Sequence, residues 1–212
     1  MILQAIGRNG LLLGVFAAVA TLALAGTWVA TRDTIEEQQR IAEARLLSEV
    51  LPADQHDNLL LDDTVMLQNA SELGVEPGGV AYRGRQQGEV VAVILPTVAP
   101  DGYSGQIELI VGIRADGSVL GVRTVKHKET PGLGDAIDAR KSHWILNFTD
   151  RSLSNPSTEG WAVKKDGGVF DQFTGATITP RAVVASVQRA LVYFKTHRSA
   201  LLDLKQESPQ HG

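Results

Sequence analysis

The sequence predicts an α+β protein in which a single N-terminal membrane helix is followed by one domain with an antiparallel sheet and flanking helices. Three observations support this prediction. Residues 9–31 carry no charged side chain, two hairpin patterns follow one another between Val80 and Val125, and apolar residues recur at helical spacing after Pro180. The order of these elements favours the α+β class, with helices on one side of the sheet.

The apolar stretch at residues 9–31 is long enough to cross a membrane, because about 20 helical residues span the hydrocarbon layer. A cleaved signal peptide is the alternative, since residues 23–25 are similar to a small-residue cleavage site. Retention as an anchor is the preferred interpretation. Arg8 precedes the stretch and Arg32 follows it, so the flanking charge gives only a weak indication of orientation.

These signals divide the chain into five parts. Residues 1–8 precede the membrane helix at residues 9–31, and residues 32–73 are expected to form a helical stalk and a connector. Residues 74–204 form the globular domain, whose length and apolar content suffice for one core. The polar tail at residues 205–212 is expected to be disordered.

Two hairpins are predicted within the domain. The first joins strands at residues 80–82 and 89–95 through a longer loop that contains two glycines. The second joins residues 106–113 and 119–125 through a turn at residues 115–118, and its first strand alternates apolar and polar residues. The elements expected after this hairpin are a short helix and a strand, at residues 136–141 and 161–163.

The final helix is predicted to begin on a loop that is rich in hydroxyl side chains. Thr179 is expected as its N-cap and Pro180 as its first helical residue. Free N–H groups and the positive end of the helix dipole then point at the loop, which suits a bound phosphate. The simpler interpretation is an ordinary cap, with Thr174 and Thr177 as turn residues.

Composition excludes several functions. The net charge of −4 without a basic run argues against nucleic acid as a partner. The chain contains no cysteine, which excludes disulfides, thiolate zinc sites, cysteine-ligated iron–sulfur clusters and c-type haem attachment. The five histidines show no spacing of a local metal motif. Any redox chemistry must therefore use an organic cofactor.

A second glycine-rich loop, at residues 129–135, offers two interpretations. Gly132 and Gly134 flank Leu133 and would let the backbone approach a flat ring, while Thr130 offers a hydroxyl for the polar edge of that ring. Alternatively, the glycines serve only a tight turn between a strand and a helix. The aromatic candidates to stack on such a ring are Tyr103, Trp144 and Trp161, although each also suits a core position.

Three runs of residues together resemble the G subunit of the Rnf electron-transport complex, also called Rsx. They are Gly-Tyr-Ser-Gly at residues 102–105, His-Lys-Glu-Thr-Pro-Gly-Leu-Gly-Asp at residues 127–135, and Thr-Gly-Ala-Thr at residues 174–177 after Asp171. The last run is similar to the motif of proteins that carry FMN on a threonine through a phosphoester bond. The C subunit of the sodium-pumping NADH:quinone oxidoreductase is a more distant relative.

This resemblance implies an electron-transfer subunit of a membrane complex that couples electron transfer to ion translocation. It implies a phosphoprotein with covalent FMN, an N terminus in the cytoplasm, and a domain in the periplasm of a bacterium, anchored in the inner membrane by a single pass. The implied partners are the other membrane and peripheral subunits and a flavin transferase. The implied cofactor-binding residues are Thr177 as the acceptor, with Thr174, Gly175, Ala176, Glu129, Thr130, Gly132, Leu133 and Gly134 around it.

Two other functions stay open from the residues. One is a membrane-anchored periplasmic flavoprotein reductase that acts outside such a complex, although the sequence shows no substrate domain and no acid–base cluster. The other is an assembly subunit without a redox role, in which the threonine loop is only structural. As an isolated chain the protein is not predicted to make or break bonds itself.

Overall fold

The computed structural model describes the backbone of residues 2–203 and the side chains from residue 7 onward, so the tail expected to be disordered lies outside the described residues. The chain divides into two compact units between Glu43 and Ala44. The principal elements are α1 (Ile2–Val50), β1 (Thr64–Met66), β2 (Val80–Gln86), β3 (Glu89–Ala99), β4 (Ile107–Arg114), β5 (Val119–Lys126) and α2 (Ile178–Leu201). Short 3₁₀ turns connect many of them.

The first unit is the N-terminal part of α1, which is long and apolar enough to cross a membrane. Its apolar side chains, such as Leu12 and Phe16, are exposed within the protein, as a lipid-facing helix requires. The apolar stretch ends near Trp28, whose ring centroid lies 5.6 Å from the guanidinium of Arg32. An aromatic ring and a basic side chain at this point are typical of a membrane boundary.

The second unit is built on an antiparallel meander of five strands in the order β1 to β5. The β4–β5 hairpin matches its prediction, and its turn is held by Asp116, which accepts the Ser118 N–H at 2.8 Å. The β2–β3 hairpin is tighter than expected. Gln87 and Gly88 both have positive φ, 54° and 85°, which permits a two-residue turn and lets β2 continue to Gln86.

Both faces of the sheet are covered. One face carries the main core, which includes α2 and a set of buried aromatic rings. The other packs against the end of α1, where Leu47, Val50 and Leu51 are almost fully buried. The compact unit therefore starts at Ala44 and includes residues that the sequence assigns to the stalk. The sequence pattern, which indicates helices on one side only, does not predict this second covered face.

The end of α1 lies in a glycine notch, formed by Gly84 of β2, Gly112 of β4 and Gly121 of β5. A β-carbon added at Gly112 would stand 2.3 Å from Val50 Cγ1, and one at Gly84 would stand 2.2 Å from Leu51 Cδ2. Gly112 and Gly121 are paired across the two strands. The missing side chains let the helix approach the sheet closely.

Two expected elements after β5 are wrong. The helix expected at residues 136–141 is a 3₁₀ turn, Gly134–Ile137, after which Asp138 is extended. The strand expected at residues 161–163 is replaced by a local loop, in which Lys164 N–H donates to Phe170 O at 2.7 Å. Both segments instead bring apolar side chains to the core. The Trp161 ring lies 5.3 Å from that of Phe170, and this packing overrides the local strand propensity.

Candidate functional site

The turn before α2 places Thr174 and Gly175 at its tip. The Ala176 N–H donates to Phe173 O at 3.2 Å, and Gly175 has φ +81°. Glycine suits this third position of the turn because a positive φ strains other residues. Thr174 is exposed at the second position. A β-carbon added at Gly175 would make ordinary contact with Leu133 Cδ2 at 3.6 Å, so the turn lies against the loop of residues 129–135.

Thr177, not Thr179, occupies the N-cap position of α2. Its backbone is already helical, and its carbonyl accepts the Arg181 N–H at 3.3 Å. The Thr177 side chain is half-buried and makes no capping hydrogen bond within the described part of the chain. The hydroxyl at the start of the helix is therefore uncommitted.

The prediction that Thr179 caps the helix is wrong, and the reason lies far away in the sequence. Thr179 is fully buried in the first turn of α2, where its hydroxyl donates to Glu129 Oε2. A capping hydroxyl must face the free N–H groups of the next turn, whereas the Thr179 hydroxyl is directed into the protein toward the buried carboxylate. The helix therefore begins two residues earlier than the sequence pattern indicates.

Glu129, in the second of the three runs, binds both the first run and the first turn of α2, which begins directly after the third run. Its carboxylate is buried, with Oε1 accepting the Ser104 N–H at 2.9 Å and Oε2 accepting the Thr179 hydroxyl. A β-carbon added at Gly134 would lie 2.7 Å from Oε2, so only glycine leaves room for the carboxylate here. We call Glu129, Ser104, Thr179 and Gly134 the Glu129 junction.

The loop between Glu129 and Gly134 is a compact turn. The Leu133 and Gly134 N–H groups both donate to Thr130 O at 3.1 Å, and the Gly132 N–H donates to Asp135 Oδ1 at 2.8 Å. Gly132 has φ +77°, which explains the need for glycine there. The Thr130 and Leu133 side chains are exposed, as the sequence prediction requires of residues that contact a ligand.

Three exposed apolar residues surround the Glu129 junction. They are Tyr103, Leu133 and Ile178, with 67%, 45% and 46% of their surface exposed. Each directly precedes a member of the junction in the sequence, namely Ser104, Gly134 and Thr179. The junction thus places the backbones of these three residues, which we call the apolar patch, around Glu129 and near the start of α2. Exposed apolar side chains that are held together in this way are typical of a binding surface.

Trp144 supports the turn before α2 from inside the protein. The sequence makes it a candidate for stacking, but its ring is buried and packs edge-to-face against Phe173 with a centroid distance of 5.0 Å. Its indole N–H donates to Asp171 O at 2.7 Å. Trp161 is likewise buried, in the aromatic core. Of the three aromatic candidates, only Tyr103 is available at the surface.

Two exposed ion pairs join residues 164–166 to the segment that contains the turn before α2 and the first turn of that helix. Lys164 Nζ lies 2.6 Å from Asp171 Oδ1, and Arg181 donates to both oxygens of Asp166, at 2.5 and 2.6 Å. The hydrogen bond from Arg181 lowers the pKa of Asp166 below its usual range. Both pairs are exposed to solvent, which screens them, so each contributes little to the stability of the fold.

Several side chains of the candidate site, such as Tyr103, Leu133 and Thr174, are exposed. Two clefts, of about 250 and 430 Å³, lie elsewhere and contain none of the residues that the sequence assigns to cofactor binding. Among the described residues, no group of three or more His, Asp or Glu side chains is arranged to hold a metal ion.

Comparison with known proteins places two family matches on the chain. The family described as FMN-binding domain matches residues 102–192, and the family described as RnfG N-terminal region matches residues 1–50. The first match includes all three runs and every member of the Glu129 junction.

Similar proteins that match nearly their whole length share one name, the G subunit of an ion-translocating oxidoreductase complex. The protein of this name from Shewanella loihica is 50% identical over 200 residues, covering 94% of each chain. The one from Pseudomonas aeruginosa is 52% identical over 195 residues, covering 92% of this chain and 91% of its own. The one from Vibrio cholerae is 46% identical over 199 residues, covering 94% and 95%.

Proposed function

Because the chain belongs to the G-subunit family of the ion-translocating oxidoreductase complexes and contains an FMN-binding domain, we propose that it carries FMN covalently on Thr177 and transfers electrons within such a complex. The single observation that supports this attachment is the uncommitted Thr177 hydroxyl at the N terminus of α2. A phosphate bonded to it would meet the free N–H groups of the first helical turn and the positive end of the helix dipole.

The other two threonines of the loop are less suitable acceptors. The Thr179 hydroxyl is buried and already donates to Glu129, so attachment there would break the junction. Thr174 is exposed at the tip of the turn and lacks the helix N terminus behind it. Thr174 can still hydrogen-bond the phosphate, because its hydroxyl lies on the same short loop.

The attachment step requires an activated flavin donor and a separate flavin transferase. With a flavin dinucleotide as the donor, the phosphoanhydride bond breaks, and the FMN phosphorus forms a new bond to Thr177 Oγ1. The nucleoside monophosphate leaves, the hydroxyl proton passes to solvent, and no electrons are transferred. Gly175 favours access, since no side chain covers the turn at this position.

The residues around Thr177 fit the remainder of the cofactor. Tyr103, Leu133 and Ile178 offer an apolar surface for the flat ring, and Thr130 offers a hydroxyl for its polar edge. A β-carbon added at Gly132 would have no atom of the described residues within 4 Å, so the ring can approach the loop backbone. When bound, FMN supplies the redox chemistry, and the protein sets its position and surroundings.

The exposed side chains around Thr177 are consistent with a need for a covalent bond. A surface without an enclosing pocket holds a free ligand weakly, whereas a tether raises the local concentration of the ring to roughly millimolar. Attachment therefore keeps the site occupied where no free FMN is supplied. This agrees with the proposed location, in which α1 crosses the bacterial inner membrane once and the domain lies in the periplasm beside the other subunits of the complex.

The experiment that tests the attachment compares threonine variants of the full chain, produced together with a flavin transferase. Thr177→Ala should lack flavin fluorescence on a denaturing gel, whereas Thr177→Ser retains some because it keeps a hydroxyl. Thr174→Ala, on the same loop, removes only a hydroxyl that can bind the phosphate and should give an intermediate amount of covalent FMN. Covalent FMN on Thr177→Ala, located by peptide mass mapping at another hydroxyl, would show that the acceptor is wrongly assigned.

A further inference from the structure

Glu129 is the only residue of the three runs whose side chain bonds directly to the other two segments of the site, among the residues that the structure describes. Its partners Ser104 and Thr179 lie 25 and 50 residues away in the sequence. The carboxylate is only 4% exposed and directed into the protein, not toward the apolar patch. Its position suits a group that acts through its neighbours.

The Thr179 bond matters because the Thr177 side chain makes no capping hydrogen bond within residues 2–203. Thr177 lies two residues before Thr179. The start of a helix frays readily when no side chain fixes it. The link from Thr179 to Glu129 thus determines where the first turn of α2, and with it the Thr177 hydroxyl, is held.

The same carboxylate fixes the opposite side of the site. The absence of a β-carbon at Gly134 lets the loop pack directly on Oε2, and Leu133 next to it contacts the acceptor turn at Gly175. The Ser104 N–H on Oε1 holds the run that contains Tyr103. One side chain therefore sets the distance between the acceptor hydroxyl and the apolar patch.

We propose that Glu129 is the positioning residue of the acceptor site: by bridging Ser104 and Thr179 it holds the Thr177 hydroxyl and the Tyr103–Leu133–Ile178 patch in one fixed arrangement. This inference rests on the proposed attachment of FMN at Thr177. The proposed role of Glu129 depends on the length of its side chain and on its two acceptor oxygens. It does not depend on contact with the ring.

Two substitutions at Glu129 separate the effect of side-chain length from the effect of charge. Glu129→Gln keeps the length of the side chain, since its carbonyl can accept the Ser104 N–H and its amide can donate to the Thr179 hydroxyl. Glu129→Asp keeps the charge but is one methylene shorter, so it cannot bridge both partners. A matched pair tests the other end of the link: Thr179→Ser retains the hydroxyl, and Thr179→Val removes it while preserving the shape.

The first measurement is the initial rate of covalent FMN attachment to the full chain in the presence of a flavin transferase. Because a displacement of about 1 Å can change rates by up to about a hundredfold, Glu129→Asp and Thr179→Val should each slow attachment about tenfold or more. Glu129→Gln and Thr179→Ser should stay within about threefold of the unsubstituted chain. The spectrum and reduction potential of the attached flavin should shift in Glu129→Asp and Thr179→Val. They should not shift in Glu129→Gln and Thr179→Ser.

The second measurement needs no flavin. Hydrogen exchange of the backbone amides at residues 181–184, the first that are bonded within α2, should accelerate in Glu129→Asp and Thr179→Val, while exchange in β3 and β4 stays unchanged. The main core contains neither Glu129 nor Thr179, and the Trp144 indole bond to Asp171 O does not depend on them, so these variants are expected to fold.

The outcomes are distinguishable. If Glu129→Gln is as slow as Glu129→Asp while Thr179→Val behaves like the unsubstituted chain, charge and not bridging is the property that matters, and the inference is overturned. Normal attachment and exchange in all four variants also overturn it and leave the proposed function intact. An unsubstituted chain that takes up no covalent FMN overturns the proposed function and, with it, this inference.

Discussion

Replacing Gly112 by alanine should destabilise the second unit by forcing the end of α1 away from the sheet. The added β-carbon would stand 2.3 Å from Val50 Cγ1, far inside van der Waals contact, and Val50 itself is only 2% exposed. The neighbouring contacts at Leu51 and Leu47 leave the helix little room to retreat. Strain, not loss of burial, is therefore the dominant effect.

The magnitude follows from the cost of overpacking a well-filled core, about 1–3 kcal/mol of the free energy of unfolding. Val50→Ala alone should cost about 2 kcal/mol through lost burial. Because Val50→Ala also removes the clashing methyl, the double variant Gly112→Ala with Val50→Ala should cost less than the sum, with a coupling of about 1 kcal/mol or more. Gly121→Ala is the matched control, since its β-carbon would make only ordinary contacts, the closest at 3.6 Å from Val50 O.

Urea unfolding of the full chain in mild detergent, followed by the fluorescence of the buried Trp144 and Trp161, measures these free energies. We expect Gly121→Ala to fall within about 0.5 kcal/mol of the unsubstituted chain. Equal effects of Gly112→Ala and Gly121→Ala, or strictly additive effects of Gly112→Ala and Val50→Ala, would refute the glycine-notch argument.

Two further predictions concern acid stability and topology. Burial alone would raise the pKa of Asp63, but hydrogen bonds from Arg85 and Arg83 outweigh it and hold that pKa below its usual range. A lowered pKa stabilises the fold at pH values above the unfolded pKa of about 3.9, and this stabilisation is lost as the pH falls through the folded pKa. Asp63→Asn should therefore cost about 1–3 kcal/mol of the free energy of unfolding at pH 7 and little near pH 2. Urea unfolding at both pH values measures this difference. A reporter joined after Gly212 should be active only if it functions outside the cytoplasm, and activity of a cytoplasmic reporter there would contradict the proposed orientation.

The elements that sequence patterns predict well are those with local causes. The alternation in β4 and the helical spacing after Pro180 both result from side chains meeting one continuous core, and the structure confirms both elements. The Asp116–Gly117 turn is likewise encoded by its own residues. In these regions local preference and tertiary packing favour the same structure.

The parts that could not be predicted depend on distant partners. Thr179 has the sequence context of an N-cap, and only Glu129, 50 residues earlier, explains why its hydroxyl points inward. Trp161 has strand propensity, yet the ring packs with Phe170 across a local loop. No local signal marks these pairs. The glycine–leucine–glycine pattern of the site loop does identify a segment that packs beside the acceptor turn, although it does not reveal that Gly134 accommodates a carboxylate.

The glycine notch also determines where the globular unit can be fused to another membrane helix. Because Leu47, Val50 and Leu51 complete the second unit, a foreign membrane helix should be joined upstream of Ala44 and not at the end of α1. A graft that discards residues 44–51 would uncover Ala92, Ile94 and Ile110 of the sheet and invite aggregation. The natural module for exchange between relatives is thus the globular unit together with the last two turns of its anchor helix.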